Sequence, residues 1–113
     1  MGREGSVTYT ISGASGKQYT LDTYTKDTTF KDISAVYIFT KRYKGSQDKY
    51  FQDALYIGES AELGTRIANH EKWPCVNRNG CTHISIMQIS GETARENAET
   101  DLRNGNTTPC NDQ

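Results

Sequence analysis

An α+β domain, with a small and largely antiparallel sheet flanked by helices, is the fold this sequence predicts, and three observations predict it. Apolar side chains fall at alternate positions through much of the first half. Helical spacing follows only at two places, after Ser60 and after Thr93. The resulting order, four strands, helix, strand, helix and an irregular tail, lacks the long βαβ alternation that a doubly wound parallel sheet requires. At 113 residues the chain has the length of one domain.

Val7, Tyr9 and Ile11 alternate, as do Tyr19, Leu21 and Thr23, on either side of the turn-rich Ser12-Gly13-Ala14-Ser15-Gly16. This predicts an N-terminal β-hairpin, read as an extension over residues 1–33 ahead of a core over 34–113. Val36-Tyr37-Ile38-Phe39 and Leu55-Tyr56-Ile57 are β-branched and aromatic runs, and the polar, lysine-rich stretch 41–53 between them reads as a long loop. Ser60 can cap a helix over 61–71, in which Leu63 and Ile67 form one i,i+4 pair and Arg66 and His70 another. Pro74 and Asn77-Arg78-Asn79-Gly80 should then break the chain before a buried strand over 83–89. Thr93 with Glu96 makes a capping box for a last helix ending near Arg103 and Gly105, with the stripe Ala94, Ala98, Leu102 set on the sheet.

Thirteen Lys+Arg against fourteen Asp+Glu give a formal net charge of −1, which excludes the broad positive field of a nucleic-acid coat protein and confines any such contact to a local patch. No apolar run approaches the roughly 20 residues of a membrane span, and the first ten residues lack a signal-peptide core. Met1-Gly2-Arg3-Glu4-Gly5-Ser6 fits the myristoylation pattern, which matches too often by chance to carry weight. Cys75, Cys81 and Cys110 are an odd number without an export signal, so free thiols in a reducing, cytoplasmic setting are expected. A Cys₃His zinc site with His83 lacks a knuckle spacing and is set aside.

Tyr37, Tyr56, Arg66, His70, Glu99 and Asn111 are the candidate functional groups. Ala35-Val36-Tyr37 followed by Leu55-Tyr56-Ile57-Gly58 resembles the paired GIY and YIG strands of the GIY-YIG nucleases, with Gly58 as the motif glycine. Ser60 to His70 resembles that family's arginine helix, Glu99-Thr100-Asp101-Leu102 its metal-binding Glu-x-x-Leu, and Pro109-Cys110-Asn111 its closing Pro-x-Asn. The resemblance implies a metal-dependent DNA endonuclease with a GIY-YIG fold: Glu99 as ligand to one Mg²⁺ or Mn²⁺, Arg66 on the phosphate, and one tyrosine activating water while the other assists. Tyr37 is favoured as the base over Tyr56. His70 resembles the histidine of restriction-enzyme members and would orient a tyrosine or the water, and Asn111 would hold the tail, donating to a phosphate or to Glu99.

The sequence departs from the family at Ala35 and Val36, both mild, and at Glu59, where repair-type members often carry a lysine. Lys41, Arg42, Lys44, Lys72, Trp73 and Arg78 are candidate DNA contacts, weighed against a solvated loop for the lysines and a packing role for Trp73. Two other functions stay open: a catalytically inactive nucleic-acid- or protein-binding module on the same fold, and an RNA-directed nuclease.

Overall fold

The computed structural model describes residues 3–111, so the Met1-Gly2 start of the acylation pattern lies outside it. Five antiparallel strands form one sheet in the order β1-β2-β5-β3-β4: β1 Arg3–Ser12, β2 Gln18–Thr25, β3 Ala35–Lys44, β4 Tyr50–Ser60 and β5 His83–Gln88. Helices α1 Leu63–Ala68 and α2 Trp73–Arg78 lie between β4 and β5, and α3 Glu92–Gly105 follows. The predicted α+β class is the observed one. The N-terminal hairpin forms as expected and is integral to the sheet, since β2 pairs with β5 from Asp22↔Ile86 to Thr25↔His83. The sheet curls enough for its two edge strands to share a cleft of about 280 Å³, lined by Thr8, Tyr9 and Thr10 on one side and Tyr50, Phe51 and Gln52 on the other.

Alternation along β3 divides the core into two halves. Ala35, Tyr37 and Phe39 face α1 and α2, joined by Leu63, Ile67, Val76, Ile84 and Ile86. Val36 and Ile38 face α3, joined by Leu21, Ile57, Ala98 and Leu102. Among the described residues no helix is long and apolar enough to cross a membrane.

Four local expectations are corrected. The stretch 41–53 is not a loop, because β3 and β4 pair as far as Lys44↔Tyr50 and leave only a tight turn. Gln47 and Asp48 adopt φ of 60° and 59°, the left-handed pair suited to a hairpin's right-handed twist. Both faces of this ribbon meet solvent, so no apolar alternation marked it. The single helix over 61–71 is two short ones: β4 runs on through Ser60, whose Oγ accepts from the Glu62 amide in a local turn, and α1 ends at Ala68. Pro74 opens α2 instead of breaking the chain, because a first-turn residue has no intrahelical N–H bond to lose. The capping box is not made; α3 starts at Glu92 behind Gly91, and Arg95, not Ala94, joins Ala98 and Leu102 on the buried face.

Cys75 and Cys110 form a disulfide with Cα atoms 5.9 Å apart, leaving only Cys81 as a free, buried thiol among the described residues. Three free thiols are therefore excluded here, and with them the Cys₃His arrangement. The bridge fixes the tail along the open edge of β4, where the Cys110 amide donates to the Leu55 carbonyl at 3.0 Å. The Asn111 carboxamide then imitates a strand residue, accepting from the Ile57 amide at 2.8 Å and donating to its carbonyl at 2.9 Å.

Candidate active site

The register of β3 and β4 brings the two motif tyrosines together. Phe39 opposes Tyr56 and Thr40 opposes Ala54, so Leu55 is an extra residue, a β-bulge. Both Leu55 and Tyr56 consequently pack on the α1/α2 face, beside Tyr37 and Phe39. Gly58 opposes Tyr37, and a Cβ there would stand 2.6 Å from the Tyr37 hydroxyl and 2.9 Å from Cε2 of Tyr56. Only glycine leaves room for the two rings, whose centroids are 6.2 Å apart.

His70 lies beyond α1 in the turn before α2, yet reaches the same place. Its Nε2 is 2.7 Å from the Tyr37 hydroxyl, and its ring meets Tyr37, Phe39 and Tyr56 edge-on. The Lys72 amide donates to Nδ1 at 3.1 Å, so the neutral ring carries its proton on Nε2 and donates it to Tyr37. Burial, reinforced by the nearby Arg66 and Lys72 charges, lowers the His70 pKa to about 4, so the ring is neutral at physiological pH. Tyr37 is 1% exposed and Tyr56 only half-buried. Burial raises both hydroxyls above their ordinary pKa, while Arg66 pulls each down and Glu71 pushes each up.

Arg66 is half-exposed on α1 and points its fork at Glu71, Nη1 to Oε1 at 2.6 Å and Nη2 to Oε2 at 3.0 Å. Those bonds hold the Glu71 carboxyl down at about 2. No helical spacing signals this pair, since Glu71 stands at i,i+5 and meets Arg66 only through the turn that follows α1.

Glu99 belongs to α3, on the opposite face of the sheet, but its charge still reaches the Tyr56 hydroxyl near the β4 edge. It is half-buried and makes no hydrogen bond or ion pair among the described residues. Burial raises its pKa; Arg103 opposes this, and Glu59 and Glu96 add to it. A carboxylate left unneutralised beside two others suits a hard dication. Among the described residues no three His, Cys, Asp or Glu side chains cluster to hold one.

The remaining candidates separate from this centre. Asn111 gives its carboxamide to Ile57 and to the Thr108 hydroxyl instead of to Glu99. Glu59, on the α3 face, binds the buried Arg95 at 2.6 Å. Trp73 donates its indole N–H to the Ile67 carbonyl and meets Phe39 at 4.8 Å, a packing role for a half-buried ring. Lys41, Arg42 and Lys44 stand on the β3–β4 ribbon, whereas Lys72 precedes α2 and the exposed Arg78 ends it. Asp101, between Glu99 and Leu102, is structural: it accepts from the Ser15 amide at 2.8 Å and the Tyr19 hydroxyl at 2.8 Å, pinning the first hairpin turn to α3.

No protein-family model matches the chain, and no curated protein or solved structure matches it either.

Proposed function

We propose that this domain is a metal-dependent endonuclease of the GIY-YIG type that hydrolyses DNA phosphodiester bonds. One observation carries the reading: Tyr37, Tyr56 and His70 converge over Gly58, with Arg66 acting on both hydroxyls and the unpaired Glu99 acting on Tyr56. Phosphodiester hydrolysis needs an activated water and positive charge where the phosphorane and leaving oxygen become negative. Arg66 offers a permanently charged, planar fork for two phosphate oxygens, and Glu71 occupies that fork with groups of similar geometry. Tyr56, the more exposed hydroxyl, is the one able to meet a solvent water. Tyr37 and His70 form a buried couple beneath it, which moves the water-activating role from Tyr37 to Tyr56. Glu99 would hold Mg²⁺ or Mn²⁺, which when bound supplies Lewis-acid charge and lowers the pKa of nearby water and phenol.

A plasmid-nicking assay with Mg²⁺, Mn²⁺ or EDTA tests the proposal. Glu99→Gln should lose metal binding and turnover together, Arg66→Lys should lose about 10²-fold in cleavage while keeping the metal, and Glu96→Gln should be silent. Absence of cleavage with either metal, on DNA and RNA alike, would sink the enzyme and leave a binding module. That second reading is favoured by one feature, the neutralisation of Arg66 by Glu71 beneath two raised tyrosines. A cytoplasmic location is likewise a proposal, and the Cys75–Cys110 bridge weighs against it because cytosolic thiols are kept reduced. Acid-quenching intact cells and alkylating the denatured protein counts one modified thiol if the bridge exists there and three if it does not.

A further inference from the structure

Past Thr40 the strand β3 loses its pairing with β5, and β3 and β4 continue alone as a two-stranded arm over residues 41–53. Tyr43, Tyr50 and Phe51 stand on this arm at 39%, 56% and 47% exposure and are the exposed large hydrophobic residues of the described chain. Every other large aromatic there is at least partly covered, so the exposure is local.

The same segment carries four cations, Lys41, Arg42, Lys44 and Lys49, against two anions, Asp48 and Asp53, in a chain whose formal net charge is −1. Cations and rings are interleaved in space. The Arg42 guanidinium lies 4.1 Å from the Tyr50 centroid, Lys41 Nζ lies 5.4 Å from that of Tyr43, and Tyr43 stacks on Phe51 at 5.8 Å and 28°. Cross-strand packing explains why Tyr43 and Phe51 meet, but not why the chain accepts their exposure beside so much positive charge.

We infer that the β3–β4 arm is a docking platform for single-stranded nucleic acid, with bases stacking on Tyr43 and Phe51 and phosphates meeting Lys41 and its neighbours. Charge complementarity selects a polyanion. The exposed parts of the rings select unstacked bases, because paired bases in a duplex keep their faces covered, while stacking onto exposed aromatics tolerates any base. Alternation along β3 sets Lys41 and Tyr43 on the same side as Tyr37 and Phe39. The six residue steps from Tyr37 to Tyr43 span about 20 Å at about 3.3 Å each, roughly six nucleotides of stacked strand at about 3.4 Å per nucleotide. A strand held on the arm therefore extends towards Tyr56 and Arg66. The inference rests on the nuclease reading in naming that site's substrate as a strand with a single-stranded segment; the binding itself needs no cleavage.

Fluorescence anisotropy of the whole protein in EDTA separates the two. The probes are a labelled single-stranded DNA of mixed sequence, its RNA counterpart, and the same DNA annealed to its complement. We expect single strands to bind more tightly than the duplex. Tyr43→Ala and Phe51→Ala should each weaken single-strand binding by about five-fold or more, with Tyr43→Trp restoring it. Lys41→Gln should weaken all three probes and flatten their salt dependence. Thermal melts establish that each variant is folded. Equal affinity for duplex and single strand, or single-strand binding unchanged in the folded Tyr43→Ala/Phe51→Ala variant, overturns the platform even if duplex nicking is observed. Binding that behaves as expected without cleavage of any substrate leaves the platform standing and removes the nuclease.

Discussion

Each face of the sheet carries one arginine that grips one glutamate at 2.6 Å, and the two pairs have opposite consequences. On the α3 face the Arg95 side chain is 5% exposed and Glu59 24%; on the α1/α2 face Arg66 is 34% exposed and Glu71 60%. Arg95 also donates to the Ile89 and Ser90 carbonyls, so its fork is spent on the ends of β5 and α3. Arg66 instead turns its fork to a solvated carboxylate. Ion pairs of equal length, one through the Arg95 Nε and one through both Nη atoms of Arg66, thus make a structural clamp in one place and an exchangeable anion site in the other, with burial separating them.

Arg95→Met is the severest challenge to this contrast. It leaves Glu59 charged and half-buried without its partner, and removing one member of a buried pair costs about 3–5 kcal/mol. Urea unfolding should record that loss, and a change below about 1 kcal/mol would mean that the clamp holds nothing. The double change Arg95→Met with Glu59→Leu should recover much of it, as apolar replacement of a whole buried pair often does.

On the opposite face the corresponding clamp is covalent. Bridging residues 35 apart in sequence, the Cys75–Cys110 disulfide removes denatured-state freedom worth about 3–4 kcal/mol, so Cys110→Ser should lower stability by an amount of that order. It should also free the tail, with faster hydrogen exchange at the Ile57 amide that Asn111 now protects. Unchanged exchange there would show that the carboxamide contacts hold the tail unaided.

Much of this was legible in the sequence, and what was not has physical causes. Tyr37, Tyr56 and Gly58 fall on strands that burial on two faces marks clearly. The arm escaped because Lys41, Arg42, Tyr43 and Lys44 meet water on both sides, so no apolar period identifies them as a strand. Arg95 escaped because a charge on a thin apolar stripe reads as solvent-facing, and its partner Glu59 is 36 residues away. The Cys75–Cys110 pairing depends on where α2 meets the tail, which no spacing encodes. His70 was placed in the wrong element but near the right neighbours, since one further turn of chain carries it back over Tyr37.

His70 gives the α1/α2 face a pH signature of its own. The unfolded chain protonates this ring near 6.5, whereas the folded one resists until about 4, so the unfolded state binds the extra proton between those values. Stability should therefore fall as pH drops from about 6.5 to about 4, by up to about 3 kcal/mol. The depressed Glu71 titrates lower, from 4.5 towards 2, and Glu99, which burial raises above its ordinary value, acts in the opposite sense. Subtracting the curve for His70→Gln from that of the unmodified protein isolates the histidine. A difference that is flat across this window would mean that the ring is solvated and not held against Tyr37.

Glu71→Gln should have the smallest effect on stability and is the most direct probe of exchange at Arg66. An ion pair as exposed as this one contributes about 0.2–1 kcal/mol, so the variant should melt within a few degrees of the unmodified protein. The fork would no longer compete with a full negative charge, and inorganic phosphate or a DNA backbone should bind about two- to five-fold more tightly at low salt, the same free energy read as affinity. The gain should shrink as salt screens both partners. Removing Glu71 also removes a charge that raises both tyrosine hydroxyls, so their ultraviolet titration should move downward. Arg95 supplies the contrast, because Glu59→Gln should destabilise the fold without improving phosphate binding. If Glu71→Gln leaves phosphate affinity unchanged while the tyrosine titration moves, the carboxylate is a neighbour of the site and does not occupy the place of a phosphate.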